Sequence, residues 1–234
     1  MKHLKIFTLL TFTIISVCIA TAQQVKIVGQ MKDVMKKGKL FGNINLDTIE
    51  NKEHLYGLGP IEYLTGEILI IDGKSYQSNV LADSTLKVEE TYQLKAPFFS
   101  YTNVSKWYDQ SLPDSIQTIK QLEIYLNQIT KNSPRPFMFK LMGTVEKASI
   151  HVVNLPKGSK VKSPEDAHKG KVNYNLSKKN CEIIGFFSTD HQTIFTHHDT
   201  FLHMHLITAD RKKMGHLDDV FFKKNTMVLS LPFE

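Results

Sequence analysis

The segment Phe201 to Thr208, FLHMHLIT, sets two histidines two residues apart in an apolar, β-like run. Side chains alternate across a strand, so His203 and His205 share one face and Met204 takes the other. That is a bidentate presentation to one metal ion. The polar stretch Ala209 to Gly215 (ADRKKMG) reads as a turn, and His216 opens the next strand. A hairpin centred between Asp210 and Arg211 sets His205 directly opposite His216, with cross-strand Cβ atoms about 4.5–5.5 Å apart. A slip of one residue would spoil that pairing. Three imidazoles without cysteine suit zinc, and also copper, iron or nickel. Three protein ligands leave a position open for water or substrate. The competing explanation is a chance cluster among the ten histidines of the chain. His197 and His198 are rival ligands, but Asp199-Thr200 after them has loop character.

A second group with chemical potential is Glu67, in Leu64-Thr65-Gly66-Glu67-Ile68-Leu69. It opens an otherwise apolar strand. A carboxylate there is either a surface-edge residue or a buried group poised for proton transfer. From the residues alone the surface explanation comes first. Glu62 is a nearby carboxylate with a weaker claim.

These groups need elements to hold them. Gln30 to Lys37 (QMKDVMKK) has helical spacing, with Met31, Val34 and Met35 on one face and Gly38 placed to end it. Gly66 to Ile71 (GEILII) reads as a strand, Asp72-Gly73 as a hairpin turn, and Lys74 to Val80 as the returning strand. Residues 85–104 read as further strand, limited by Pro97. The best helix lies within 112–131, with a start signal at Pro113-Asp114-Ser115 and apolar residues at helical spacing from Ile116 to Ile129. Asn132 to Pro136 stops it. Strands follow at Phe137 to Met142 and Thr144 to Val153, around a turn at Gly143. Residues 155–180 are polar and read as a surface excursion. Cys181 to Ser188, Phe201 to Thr208, Leu217 to Phe222 and Met227 to Leu231 read as strands. Many strands with two helices predict an α+β architecture of mixed β-sheets, two subdomains packed together. The halves fall at about 23–110 and 135–234.

At 234 residues the chain has enough core to fold without staples. Lys2 and Lys5, the apolar run Ile6 to Ala20 and the small residues Ala20-Thr21-Ala22 form a secretory signal pattern over residues 1–22. The apolar run is short for a membrane span of ~20 residues. Export to a periplasm or beyond is expected, with no membrane attachment after cleavage. Of the two cysteines, Cys18 leaves with the leader and Cys181 remains without an internal partner. The formal charge of +6 drops by two with Lys2 and Lys5. The remaining excess sits in short clusters on expected turns, so nucleic acid is not an expected partner.

The motifs, in this order, resemble acetolactate decarboxylase over nearly the whole mature chain. QMKDVMKKGKLFGNINLDTI resembles the family's opening helix and turn, and GLGPIEYLTGEILIIDGKSYQ its glycine-rich entrance and hairpin. SPRPFMFKLMGTVE and CEIIGFF resemble two of its strands. HMHLITADRKKMGHLDDV is the most specific match: the family has His-x-His, an Ile-Thr-x-Asp-Arg turn and Gly-His-(apolar)-x-Asp. The resemblance implies His203, His205 and His216 as ligands for Zn2+, Glu67 as the active-site glutamate and a homodimer. It thereby reverses the order of explanations for Glu67. The family's catalytic arginine falls on His151 here. Its second, C-terminal glutamate has Glu234 as the only counterpart after Asp219. Family threonine becomes Pro60, family aspartate becomes Thr65, and Pro-Gly-Tyr before the first histidine becomes Thr200-Phe201-Leu202.

The implied reaction is zinc-dependent decarboxylation of 2-acetolactate to acetoin and CO2. The alternatives are an exported zinc-binding family member without decarboxylase activity, or a decarboxylase of a different 2-hydroxy-3-oxo acid. Histidine carries charge only near or below its ordinary pKa of about 6.5. It also lacks arginine's bidentate fork for a carboxylate.

Overall fold

The structure is a computed structural model and describes residues 24–233. The expected leader over residues 1–22, and Glu234, lie outside that range. In chain order the first strands and helix are β1 (Lys26–Val28), α1 (Met31–Lys37) and β2 (Ile44–Asn45). Next come β3 (Leu55–Pro60), β4 (Glu67–Ile71), β5 (Lys74–Val80), β6 (Leu86–Glu90), β7 (Lys95–Ala96) and β8 (Phe99–Asn103). β9 (Trp107–Ser111), α2 (Ile119–Ile129), β10 (Phe137–Val152) and the short α3 (Pro164–Ala167) follow. The chain ends with β11 (Val172–Phe187), β12 (Leu202–Thr208), β13 (Met214–Phe222) and β14 (Val228–Pro232).

The first sheet is antiparallel with strand order β1-β8-β3-β4-β5-β6. The apolar run EILII makes β4 a central strand, buried along its whole length. Asp72 and Gly73 adopt φ of 46° and 79°, the two left-handed positions of the expected two-residue hairpin turn. One face of β4 puts Ile68 and Ile70 into a cluster with Leu46, Leu55 and Phe99. The opposite face carries Leu69, Ile71 and, two residues before Leu69, Glu67.

The second sheet has the order β11-β12-β13-β10-β14-β9, and β10 also pairs with β11. The four strands β10, β11, β12 and β13 therefore close into a ring of ladders, which leaves no unpaired edge among them. Phe139, Leu141, Ile183, Met204, Leu206 and Leu217 belong to the cluster inside it, joined by Leu122 and Leu126 of α2. On the outer side, Met138, Ile184, Phe186, Ile207 and Met214 pack against Leu58, Leu69, Ile71 and Tyr76 of the first sheet. The two sheets thus share a core between the barrel wall and β3-β4-β5.

The long strands do not keep one alternation throughout. In β10, Phe139, Leu141 and Val145 face inward, and beyond them Ala148 and Ile150 do. The switch lies at Glu146, which the β10–β13 register skips. Lys178 stands opposite it, between the partners of Val145 and Lys147, and has φ of 50°. In β13 the skipped residue is Asp218, between Leu217 and Val220, which both face inward. Each bulge inserts one residue and turns the following side chains over. The first bulge brings His151 to the outer face, and the second lets β13 hold His216 there while Val220 and Phe222 stay inside.

Three expectations need correction. The main helix starts at Ile119, because Thr118 and Gln121 close a capping box there, while Pro113 to Ile116 forms only a turn. Gly143 is not a turn: it sits inside β10 at φ of 147°, paired with Cys181, and the backbone of Thr226 fills the place a Cβ would need. Residues 172–180 are strand, because β10 pairs with them along its full length despite their polar outer side.

Gly185 lies opposite both Phe139 and Met204 in the barrel. A Cβ there would collide with the Phe139 ring and come within 2.9 Å of Met204. Gly185→Ala is expected to lower stability by about 1–3 kcal/mol, seen as a lower urea midpoint with an unchanged slope.

Candidate metal centre

The hairpin of β12 and β13 has the expected centring: His205 pairs with His216. His203 lies two residues before His205 on the same outer face, and Met204 points into the barrel. The ring centroids are 5.2 Å apart for His203–His205, 5.1 Å for His203–His216 and 5.5 Å for His205–His216. One nitrogen from each ring lies within 4.8 Å of those of the other two. Burial holds the His203 and His216 imidazoles well below the usual histidine pKa, with neighbouring histidines adding to the effect. Burial, then His151, brings His205 down to about 3. All three are neutral near pH 7, the form that offers a lone pair.

The donor set fits a metal on a second count. His203 Nδ1 and both ring nitrogens of His205 are buried without a well-formed hydrogen bond; the Ile68 backbone bears on His205 at one nitrogen, which leaves the other for a ligand. Orphaned polar atoms of this kind are rare in a folded interior and are expected where a ligand completes them.

The first sheet closes the site from the other side. Glu67 is 3% exposed, and its Oε1 accepts from the backbone N–H of Val153 at 3.2 Å. Its Oε2 lies 3.7 Å from His205 Nε2. Burial raises the Glu67 pKa well above the carboxylate range, and Asp218 raises it further. With His205 held neutral, that contact joins two uncharged groups and is not an ion pair. The buried alternative for Glu67 is the one the fold adopts.

His151 pairs with His216 across β10 and β13, with ring centroids 4.8 Å apart. Its Nδ1 donates to Asp218 Oδ1 at 2.7 Å, because an ionised carboxylate can only accept. Nε2 is therefore the nitrogen left for other contacts. A narrow cavity of about 20 Å³, room for roughly one water, is lined by Glu67, His151, His168, His197, His203 and His216, with Met31 and Met35 of α1 among the apolar residues closing it. Through His197 and His216 it adjoins an open polar pocket of about 440 Å³ that includes Lys120, Glu123 and Asp199.

Of the residues expected from sequence, His203, His205, His216, Glu67 and His151 come together at this centre. Glu62 stands apart, accepting from the Gly42 N–H. His197 has its ring 5.2 Å from His216 but falls outside the three-nitrogen group, and Glu234 is outside the described residues. Two residues come to the site unannounced. Asp218 occupies a bulge, and no alternation pattern marks a bulge in advance. His168 follows α3, in the segment that reads as featureless polar surface.

A family model for alpha-acetolactate decarboxylase matches residues 28–231. The chain belongs to that family. Its members are carboxy-lyases acting on a small molecule, and this chain is one of them. Among solved structures, alpha-acetolactate decarboxylase from Bacillus subtilis strain 168 is 19% identical with a TM-score of 0.72, covering 90% of this chain and 86% of that one. The enzyme from Bacillus subtilis subspecies spizizenii is 20% identical with a TM-score of 0.73 and the same coverage. A Staphylococcus aureus protein of unknown function, described as similar to alpha-acetolactate decarboxylase, is 19% identical with a TM-score of 0.67. At these identities the likeness establishes a shared fold. No curated protein matched the sequence. No helix among the described residues is long and apolar enough to cross a membrane.

The depressed histidines set a pH dependence for the metal-free protein. Below about pH 6.5 the unfolded chain gains a proton at each of three histidines that the fold keeps neutral. Glu67 opposes this with one proton taken up early by the folded state. The net sign is loss of stability as pH falls from about 6.5 towards the folded pKa of His205 near 3. Melting temperature against pH should show this slope, and H203Q/H205Q/H216Q should flatten it.

Proposed function

We propose that the protein decarboxylates 2-acetolactate to acetoin and CO2 with zinc held by His203, His205 and His216. The observation that carries the reading is a set of three neutral imidazoles with orphaned nitrogens beside a buried carboxyl group. A bound zinc ion would polarise the substrate carbonyl and stabilise the charge that develops as CO2 leaves. Glu67 is fixed at Oε1 by Val153, which leaves the protonated Oε2 free to hand its proton to the reacting carbon. His151 orients the substrate carboxylate through Nε2, a donor only when the ring carries both protons. The cavity is smaller than a hydroxy-oxo acid, so a side chain in its wall, such as Met35, must yield when substrate is admitted. The reading extends to export through the leader at residues 1–22 and to a homodimer in solution, the latter checked by light scattering.

Residues 23–234 should bind one zinc per chain and form acetoin in a chelator-sensitive way. Glu67→Gln should keep the zinc and lose about 10²–10⁴-fold in kcat. Loss of the metal in that variant would make Glu67 a ligand and overturn its assigned role.

A second reading, a different 2-hydroxy-3-oxo acid as substrate, is favoured by His151 standing where the resemblance expects arginine. His151→Arg separates the two. The first reading expects no gain with acetolactate. A rise of roughly tenfold or more, about 1.4 kcal/mol in the barrier, would favour the second.

A further inference from the structure

Decarboxylation of a carboxylate anion consumes a proton on every turnover. The C–C bond to the carboxylate breaks, the electron pair stays on carbon, and that carbon ends with a new C–H bond as CO2 departs. The site cavity has room for roughly one water, so a proton reaches it past the groups in its wall, on the His197 side next to the open pocket or on the His168 side.

His168 is built for that position. It is half-buried, it follows the four-residue helix α3, and it lines the same cavity as Glu67 and His151. Its Nδ1 lies 2.7 Å from the carbonyl oxygen of Pro164. A carbonyl can only accept, so Nδ1 carries the hydrogen and Nε2 of the neutral ring carries the lone pair. The ring stands edge-on to His151, at 83° and 5.7 Å between centroids. The loop is anchored independently of the metal centre, by the Ser163 cap on Asp166 N–H and by the Asp166–Lys169 ion pair.

We propose that His168 is the proton relay of this site: Nε2 takes a proton from bulk water or buffer and releases it into the cavity, where it restores the proton that Glu67 hands to the substrate carbon. Nδ1 stays on Pro164 throughout. The inference rests on the decarboxylase reading. The groups around the ring suit the task. His151, Lys171 and His197 all oppose a positive charge there, Glu165 lies beside it on α3, and burial is the largest effect lowering its pKa. A carrier depressed in this way gives its proton up readily. His197 has a weaker claim, because its ring lies against the metal-site residue His216.

The test compares kcat for acetoin formation in wild type, His168→Gln and His168→Asn, each loaded with zinc, in dilute buffer and across rising imidazole concentration. The asparagine variant can keep an amide donor on Pro164, which separates the loop's shape from its proton chemistry. Both variants should retain zinc and lose at least about tenfold in kcat in dilute buffer. Imidazole should restore most of that loss, while leaving wild type little changed. Full activity in either variant, or a loss that imidazole does not touch, would overturn the relay and leave the decarboxylase reading standing. Rescue of His197→Gln in place of the His168 variants would likewise overturn it. Zinc-loaded wild type that forms no acetoin would bring down the reading and the relay together.

Discussion

A buried ring nitrogen without a hydrogen-bond partner costs about 1–3 kcal/mol, and His203 and His205 hold such nitrogens. The rest of the chain is arranged so that this cost can persist. His203 and His205 stand on a strand hydrogen-bonded on both sides, and His216 stands on the strand beside it. The ring of ladders from β10 to β13 gives these residues no freedom to turn away. The first sheet packs over them and keeps water out. Desolvation then holds the imidazoles neutral, and neutral imidazole is the form that binds a metal.

The same desolvation acts with opposite sign on Glu67. It keeps the carboxyl protonated beside neutral histidines, so two kinds of group in one cavity are held uncharged by one cause. Glu67 comes from the first sheet and the histidines from the barrel. The chemistry exists only when the two layers are packed together, so the site reports on the integrity of the whole interface.

Much of this was legible in the sequence. The His-x-His spacing, the turn at 209–215 and His216 predicted the cross-strand pair correctly, because a regular hairpin converts spacing into geometry. Asp72-Gly73 and Gly38 announced their left-handed conformations through residue type. Glu67 was ambiguous for a physical reason: the first residue of an apolar strand is buried or exposed according to what packs against it, and that is decided by residues far along the chain, Val153 and His205 among them. His151 was reached by likeness to a family, not by pattern, since the bulge at Glu146 that turns it outward leaves no periodic trace. His168 had no local signal at all. Its place depends on how a polar segment folds back across α1.

The bulge at Asp218 has a consequence for how this chain can diverge. A replacement at that position alters one side chain and leaves the ladder intact. Its deletion would put Leu217, Val220 and Phe222 into plain alternation, so the barrel interior would keep its side chains while the carboxylate on His151 Nδ1 would be lost. Descendants of this sequence can therefore drop residue 218 without turning the barrel inside out, but not without freeing His151. An alignment gap at that column in a relative would mark a regular β13 in the same barrel and a residue 151 held by some other partner.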